Sequence, residues 1–353
     1  MVEILQKCRN HGLLVFIDPH QDVVIFLILF HTARNNRQVV SILWRVRRPT
    51  LDSIRLRIQS CEFPSHRSSY SSQLFRKRAK YGLVYKYNDR RRTPLMDVDY
   101  QRLVSYTIFT LFFAGREFVP KAIINGFNIQ DYLETHYFNA LVHLAGRIHD
   151  EGNLEDTTVI GWETMNDPWI GLVGYTDLSK IMPGQNGRTT CPSPFQCMLG
   201  GEGAPIRAIF YGPLQIRRGT KTVNPRGCKA WVSSAKFDEK YGWKRGPGWK
   251  LGGCIWAQHG VWDPVKRELL RPDYFHRNRD GVEMNEKRWT SDHFMPHVTR
   301  FTETIRNIHK NAIIFVQPPL LFQPPNLKLK NIPRYVYMPH WYDGLTLTEK
   351  RWS

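Results

Sequence analysis

Three short polar clusters in this chain combine carboxylates, imidazoles and phenols in the way that acid–base chemistry requires. Asn166-Asp167-Pro168 follows the β-branched, apolar run Thr157 to Met165. Asp18, His20 and Asp22 follow Leu13 to Ile17, and His340, Tyr342 and Asp343 follow Tyr335 to Met338. A carboxyl group can deliver a proton to a reacting oxygen or take one from it, and a neighbouring imidazole or phenol can orient substrate or carboxyl. Each cluster also has a plainer reading. An aspartate before proline suits an Asx-turn, and a lone histidine is often simply hydrogen-bonded to a loop carbonyl. Chemistry is favoured because all three stand where a buried strand empties into a loop, the end at which α/β barrels gather catalytic groups.

The positions of these clusters depend on the elements before them. Residues 2 to 11 read as a helix with Gly12 just beyond as its stop, and Leu13 to Ile17 is an unbroken apolar run suited to a strand buried on both faces. Tyr100 to Phe113 and Asn128 to His149 have helical length and spacing, and Thr157 to Met165 reads as the next strand. Val298 to His309 is again helical. Ala312 to Val316 is a strand ending at Gln317-Pro318-Pro319, and Tyr335 to Met338 is the last. Residues 171–288 are rich in Gly, Pro and Trp with weak periodicity, and are expected to form an elaborated βα loop. Helices alternating with buried strands predict a parallel sheet in an α/β fold, and no internal repeat stands out.

At 353 residues the chain fits one large domain. Its formal charge of +19 is unevenly spread. Between Val24 and Thr93 there are 16 Lys and Arg against 3 acids, a net of +13, which leaves +6 for the other 283 residues. Residues 23–94 therefore form a basic segment, expected to be disordered and solvated or else foreign to the fold. The cysteines Cys8, Cys61, Cys191, Cys197, Cys228 and Cys254 show no zinc-ligand spacing, so neither a metal site nor a disulfide framework is expected. Met1 to Asn10 lacks the apolar core of a signal peptide. Val23 to Phe30 is far shorter than the roughly 20 residues of a membrane span. A cytoplasmic protein, or one peripheral to intracellular membranes, is expected.

Four segments together carry a family resemblance. Phe16-Ile17-Asp18-Pro19-His20-Gln21-Asp22, Gly161-Trp162-Glu163-Thr164-Met165-Asn166-Asp167-Pro168, His259-Gly260-Val261-Trp262-Asp263-Pro264 and Pro339-His340-Trp341-Tyr342-Asp343-Gly344-Leu345 resemble family 5 glycoside hydrolases. The nearest branch is that of the endoglycoceramidase-related fungal enzymes, which cleave glucose from glucosylceramide or steryl glucosides. The resemblance covers about residues 1 to 22 and 98 to 350, in the family's order. It implies a (β/α)8 TIM barrel that hydrolyses a β-glucosidic bond with retention, using two carboxylates about 5 Å apart.

Residue by residue, the resemblance puts Asp167 at the acid/base position and Asn166 beside the scissile bond. His20 and Asp22 match a pair lining the sugar subsite. His340 and Tyr342 match residues that hold the sugar and orient the nucleophile, and Trp341 is a candidate for an apolar sugar face. No cofactor is implied, and the partner is a glycolipid or β-glucoside, with peripheral membrane contact allowed and no obligate protein partner. Trp256, His259 and Trp262 either shape aglycone preference or pack inside the long loop.

Two features depart from the family pattern. Aspartate replaces the family's glutamate, which withdraws the carboxyl by one methylene, of order 1 Å, a displacement that can cost about a hundredfold in rate. No residue matches the nucleophilic glutamate, and the elements present correspond to about strands three to six, so the barrel is expected to be incomplete. Glu163, four positions before Asp167, has no catalytic role in the family. The alternatives are a catalytically inactive fragment or sugar-binding relative and, more remotely, a basic nucleic-acid-binding protein, which lacks any accompanying binding motif.

Overall fold

The computed structural model describes residues 1–19, 102–181, 190–211, 216–231, 233–319, 322–327 and 332–339. The basic segment 23–94 lies outside them. Helix α1 (Val2–Asn10) has Glu3 in its first turn and Lys7 and Arg9 in its last, charges that complement the helix dipole. Gly12 at φ +65° then turns the chain, and the Leu13 N–H returns to the Cys8 carbonyl at 2.9 Å. Strand β1 (Val15–Ile17) follows.

Helix α2 (Leu103–Phe118) is apolar nearly all round and almost wholly buried, as a helix enclosed by other elements must be. It kinks at Ala114 (φ −134°), and at Gly115 it approaches the next helix so closely that a Cβ there would lie 3.0 Å from Gln130 Cβ. Helix α3 (Ile129–Asp150) starts at Asn128, whose side chain accepts the Gln130 N–H at 3.0 Å. Its buried residues Leu133, Tyr137, Phe138, Leu141, Ala145 and Ile148 recur at helical spacing and make the face that packs on α2.

Strand β2 (Val159–Glu163) is the most enclosed of the sheet. A relay ties Trp162, near its carboxyl end, back to the turn before the strand. Trp162 Nε1 donates to His309 Nδ1 (3.3 Å), which fixes the proton on Nε2, and that nitrogen donates to Asp156 Oδ1 (2.9 Å). After the long excursion come a short helix (Glu286–Trp289), one π turn (Thr290–Phe294) and helix α4 (Met295–Arg306), which together form one helical run. Strands β3 (Ile313–Val316) and β4 (Tyr335–Tyr337) complete the main sheet.

The strand order is β1-β2-β3-β4, every pair parallel. Ile17 stands beside Trp162, Phe315 beside Glu163, and Val316 beside Tyr337, so the strands end at a common level. Gly161 is required by this packing: a Cβ there would lie 2.2 Å from the Ile313 carbonyl oxygen. The helices and strands expected from the sequence are all present, with boundaries shifted by a few residues.

One expectation is corrected. Leu13 and Leu14 are 53% and 64% exposed and Phe16 is 39% exposed, so the first apolar run is not buried on both faces. Leu13 and Leu14 precede the strand, and among the described residues β1 has a neighbour on one side only.

Residues 171–288 also carry more regular structure than weak periodicity suggested. Thr190–Cys191, Ile206–Tyr211 and Arg217–Val223 form a three-stranded antiparallel sheet, and the helix Pro194–Gly201 opens on a capping box between Ser193 and Gln196. This excursion has a neck. The Gly174 N–H donates to the Phe275 carbonyl at 2.8 Å and the Leu178 N–H to the Pro272 carbonyl at 2.9 Å. The neck is seated on α2, where the Leu172 N–H reaches Thr110 Oγ1 (2.8 Å), Tyr274 donates to the Phe118 carbonyl (2.7 Å), and the Tyr106 and Tyr175 hydroxyls meet at 2.7 Å.

Candidate active site

Beyond Glu163 the chain leaves β2 under tight control. The Thr164 N–H donates to the Phe315 carbonyl at 2.9 Å, and its own carbonyl accepts from the Tyr137 hydroxyl (2.8 Å) and from His297 Nε2 (3.3 Å). His297 is buried among Phe112, Phe113, Tyr137 and Phe138, with ring centroids 5.4 to 5.7 Å away. Burial pushes its pKa down to about 4 and keeps it neutral. Met165 is sealed in the core, and the Asn166 N–H points to the Pro19 carbonyl at 3.5 Å.

Asp167 then adopts a left-handed backbone (φ +44°), a conformation aspartate tolerates better than most residues. Gln317, just beyond β3 and 1% exposed, grips it at two points: its Oε1 accepts the Asp167 N–H at 2.9 Å, and its Nε2 donates to Asp167 Oδ1 at 2.6 Å. The carboxyl is thus held by a residue 150 positions away rather than by a local turn alone.

Beneath it lies a second acidic group. Glu163 is completely buried and hydrogen-bonds with Asp18, which follows the register partner of Trp162. No N–H or O–H donor meets either Glu163 oxygen among the described residues. Burial first, then the charge of Asp18 and its hydrogen bond, and finally the charge of Asp167, raise Glu163 to about 9. At neutral pH Glu163 is therefore held as a carboxylic acid beside Asp18. Tyr137, whose own pKa is raised by burial and by these two carboxyls, closes the far side. Asp18, Glu163 and Asp167 together make a site that can hold a proton and place one carboxyl for transfer.

Of the site residues expected from the sequence, Asn166 and Asp167 are described and stand together. His20, Asp22, His340, Trp341 and Tyr342 lie outside the described residues. Trp256 and Trp262 are core residues: Trp256 Nε1 donates to Thr107 Oγ1 at 3.2 Å, and both indoles are buried. His259 uses both ring nitrogens, Nδ1 donating to the Ile255 carbonyl (2.8 Å) and Nε2 accepting the Lys121 N–H (3.2 Å). The packing alternative holds for these three. Gln317 was not foreseen, although its place at a strand's carboxyl end was a usable signal. Among the described residues no group of three or more His, Cys, Asp or Glu is arranged to hold a metal. Cys197 and Cys254 are buried thiols pushed up to about 12, and inert.

No family model matches the chain. An Aspergillus fumigatus protein named glucosylceramidase is 38% identical over 363 residues, spanning 100% of this chain and 44% of the relative. The Saccharomyces cerevisiae ergosteryl-beta-glucosidase is 37% identical over 277 residues, 72% of this chain and 34% of the relative. The crystal structure of Cryptococcus neoformans sterylglucosidase 1 with hit 1 superposes with a TM-score of 0.75 at 33% identity, covering 100% of this chain and 47% of that one. The chain spans less than half the length of these relatives.

Proposed function

We propose that this chain, which belongs with the fungal glucosylceramidases and steryl β-glucosidases, carries the proton-donor side of a retaining β-glucosidase acting on a glycolipid, either glucosylceramide or a steryl glucoside. The observation that carries the reading is the two-point grip of Gln317 on Asp167 at the carboxyl end of a buried parallel strand. Four parallel strands in chain order suit strands three to six of a (β/α)8 barrel.

In this reading Asp167 protonates the glycosidic oxygen as the bond to the anomeric carbon breaks, and the aglycone leaves as an alcohol. A second carboxylate attacks the opposite face of the sugar. Asp167, then ionised, takes a proton from the water that releases glucose. Gln317 keeps the carboxyl aimed, because a short side chain in the acid position tolerates little misplacement. Asn166 lies beside the scissile bond, and His20, Asp22, His340, Tyr342 and Trp341 line the sugar subsite. No cofactor takes part.

The test is glucose release by the purified chain from glucosylceramide, a steryl glucoside and an aryl β-glucoside, with Asp167→Asn in parallel. Turnover that drops at least about a hundredfold in the variant supports the role. Equal rates in chain and variant would refute Asp167 as the acid. Sugar binding without any turnover would make this polypeptide a non-catalytic relative.

A further inference from the structure

From the antiparallel sheet of the excursion we infer that this face docks on a membrane surface bearing anionic headgroups. Residues 203–237 contain seven cations, Arg207, Arg217, Arg218, Lys221, Arg226, Lys229 and Lys236, and no acid, a net of +7. All seven are exposed, and none forms an ion pair among the described residues. This charge is separate from the basic segment near the amino end and is fixed on an ordered support.

The support is specific. Ile206, Ala208 and Val223 are buried on one face of the sheet. Asn224, also buried, pins the end of Arg217–Val223 by donating to the Gly200 and Cys228 carbonyls at 2.9 Å and accepting the Cys228 N–H at 2.9 Å. Arg217–Val223 is the outer strand, and every one of its residues from Arg217 to Thr222 is exposed. The register shift between Phe210 and Tyr211 pairs Tyr211 with Arg217, so that Arg217 joins Arg207 on the outward face. Lys221, which pairs with Ala208 and therefore lies on the other side of the exposed edge strand, is held over the Phe210 ring at 3.5 Å. Ile216, at the start of the strand, is 51% exposed and adds an aliphatic group beside the cations.

One or two lysines suffice to protect a sheet edge from unwanted pairing. Seven unneutralised cations on and beside one small sheet exceed that need and match a surface of anionic headgroups. A membrane is also where a glycolipid substrate resides. That part of the argument rests on the proposed function, and the charge and exposure do not.

The experiment is co-sedimentation of the full chain with phosphatidylcholine vesicles, with and without phosphatidylserine, at low and high salt. Each cation near such a surface contributes about fivefold in partitioning. The variant Arg207→Gln/Arg217→Gln/Arg218→Gln/Lys221→Gln is therefore expected to weaken binding to anionic vesicles by roughly 600-fold. A control carrying Arg76→Gln/Lys77→Gln/Arg78→Gln/Lys80→Gln is expected to lose much less. All four sheet positions are exposed, and unchanged thermal unfolding verifies that the variant folds. The proposal is overturned if the control loses as much or more, if phosphatidylcholine alone binds equally well, or if the chain ignores vesicles while binding single-stranded RNA. Vesicle binding needs no turnover, so this outcome and that of the glucosidase assay are independent.

Discussion

Glu163 offers a test of the site that needs no substrate. Its carboxyl is wholly buried, with Asp18 as its hydrogen-bonding partner, and its pKa is raised from an ordinary carboxyl value to about 9. The folded protein therefore binds a proton at Glu163 that the unfolded chain gives up above about pH 4.5. Because the native state binds more protons in this window, the contribution is fully present below pH 4.5 and falls as pH rises toward 9. Each unit costs about 1.4 kcal/mol, so from pH 5.5 to 7.5 the loss is roughly 3 kcal/mol. Glu163→Gln keeps the shape, can still donate to Asp18 and cannot ionise. The assay is urea unfolding of both proteins at several pH values in this range. Their difference should tilt by about 1.4 kcal/mol per unit in favour of the variant as pH rises. Other titrations common to both, such as that of His297, cancel in the comparison. Parallel stability curves for the two proteins would mean that Glu163 is already ionised in the fold, and the protonated Glu163 would have to be abandoned.

Two other perturbations address the frame around that pair. Gln317→Leu leaves the Asp167 N–H and Oδ1 without their partner, and in a double-mutant cycle with Asp167→Ala the coupling should be about 1–3 kcal/mol by denaturant unfolding. Strict additivity would show that the bond from Gln317 Nε2 to Asp167 Oδ1 carries no energy, since the bond from the Asp167 N–H survives in Asp167→Ala. Gly161→Ala should cost at least about 3 kcal/mol or abolish soluble expression, because its methyl would meet the Ile313 carbonyl and the Phe315 ring; near-wild-type thermal unfolding would contradict the close approach of β2 and β3.

Much of the frame was legible because it repeats a local rule. The spacing of Leu133, Tyr137, Leu141, Ala145 and Ile148 writes α3 into the sequence, and β-branched runs ending in polar residues write β2 and β3. Asp167 was legible for the same reason, standing directly after such a run. Gln317 and the pairing of Asp18 with Glu163 were not, since both are contacts between strands far apart in sequence and depend on register. The strand Arg217–Val223 was hidden differently. Its residues face solvent almost throughout, so no alternation of apolar and polar residues marks it. The exposure of Leu13 and Leu14 leaves no mark in the sequence, because an apolar run reports what a strand could bury, not what lies beside it.

The neck of the excursion has an implication for how such a protein can change. Its two backbone hydrogen bonds, Gly174 to Phe275 and Leu178 to Pro272, bring the ends of nearly a hundred residues together on α2. The entropy of closing a loop grows only logarithmically with its length, by about 0.6 kcal/mol per doubling. Exposed loops between residues 178 and 272 can thus lengthen or shorten at small energetic cost while Asp167 and its supports keep their places, whereas the segments carrying Trp256 and His259 stay tied to Thr107 and Lys121. The neck acts as a socket, letting one proton-handling core accept different surfaces toward the world outside it.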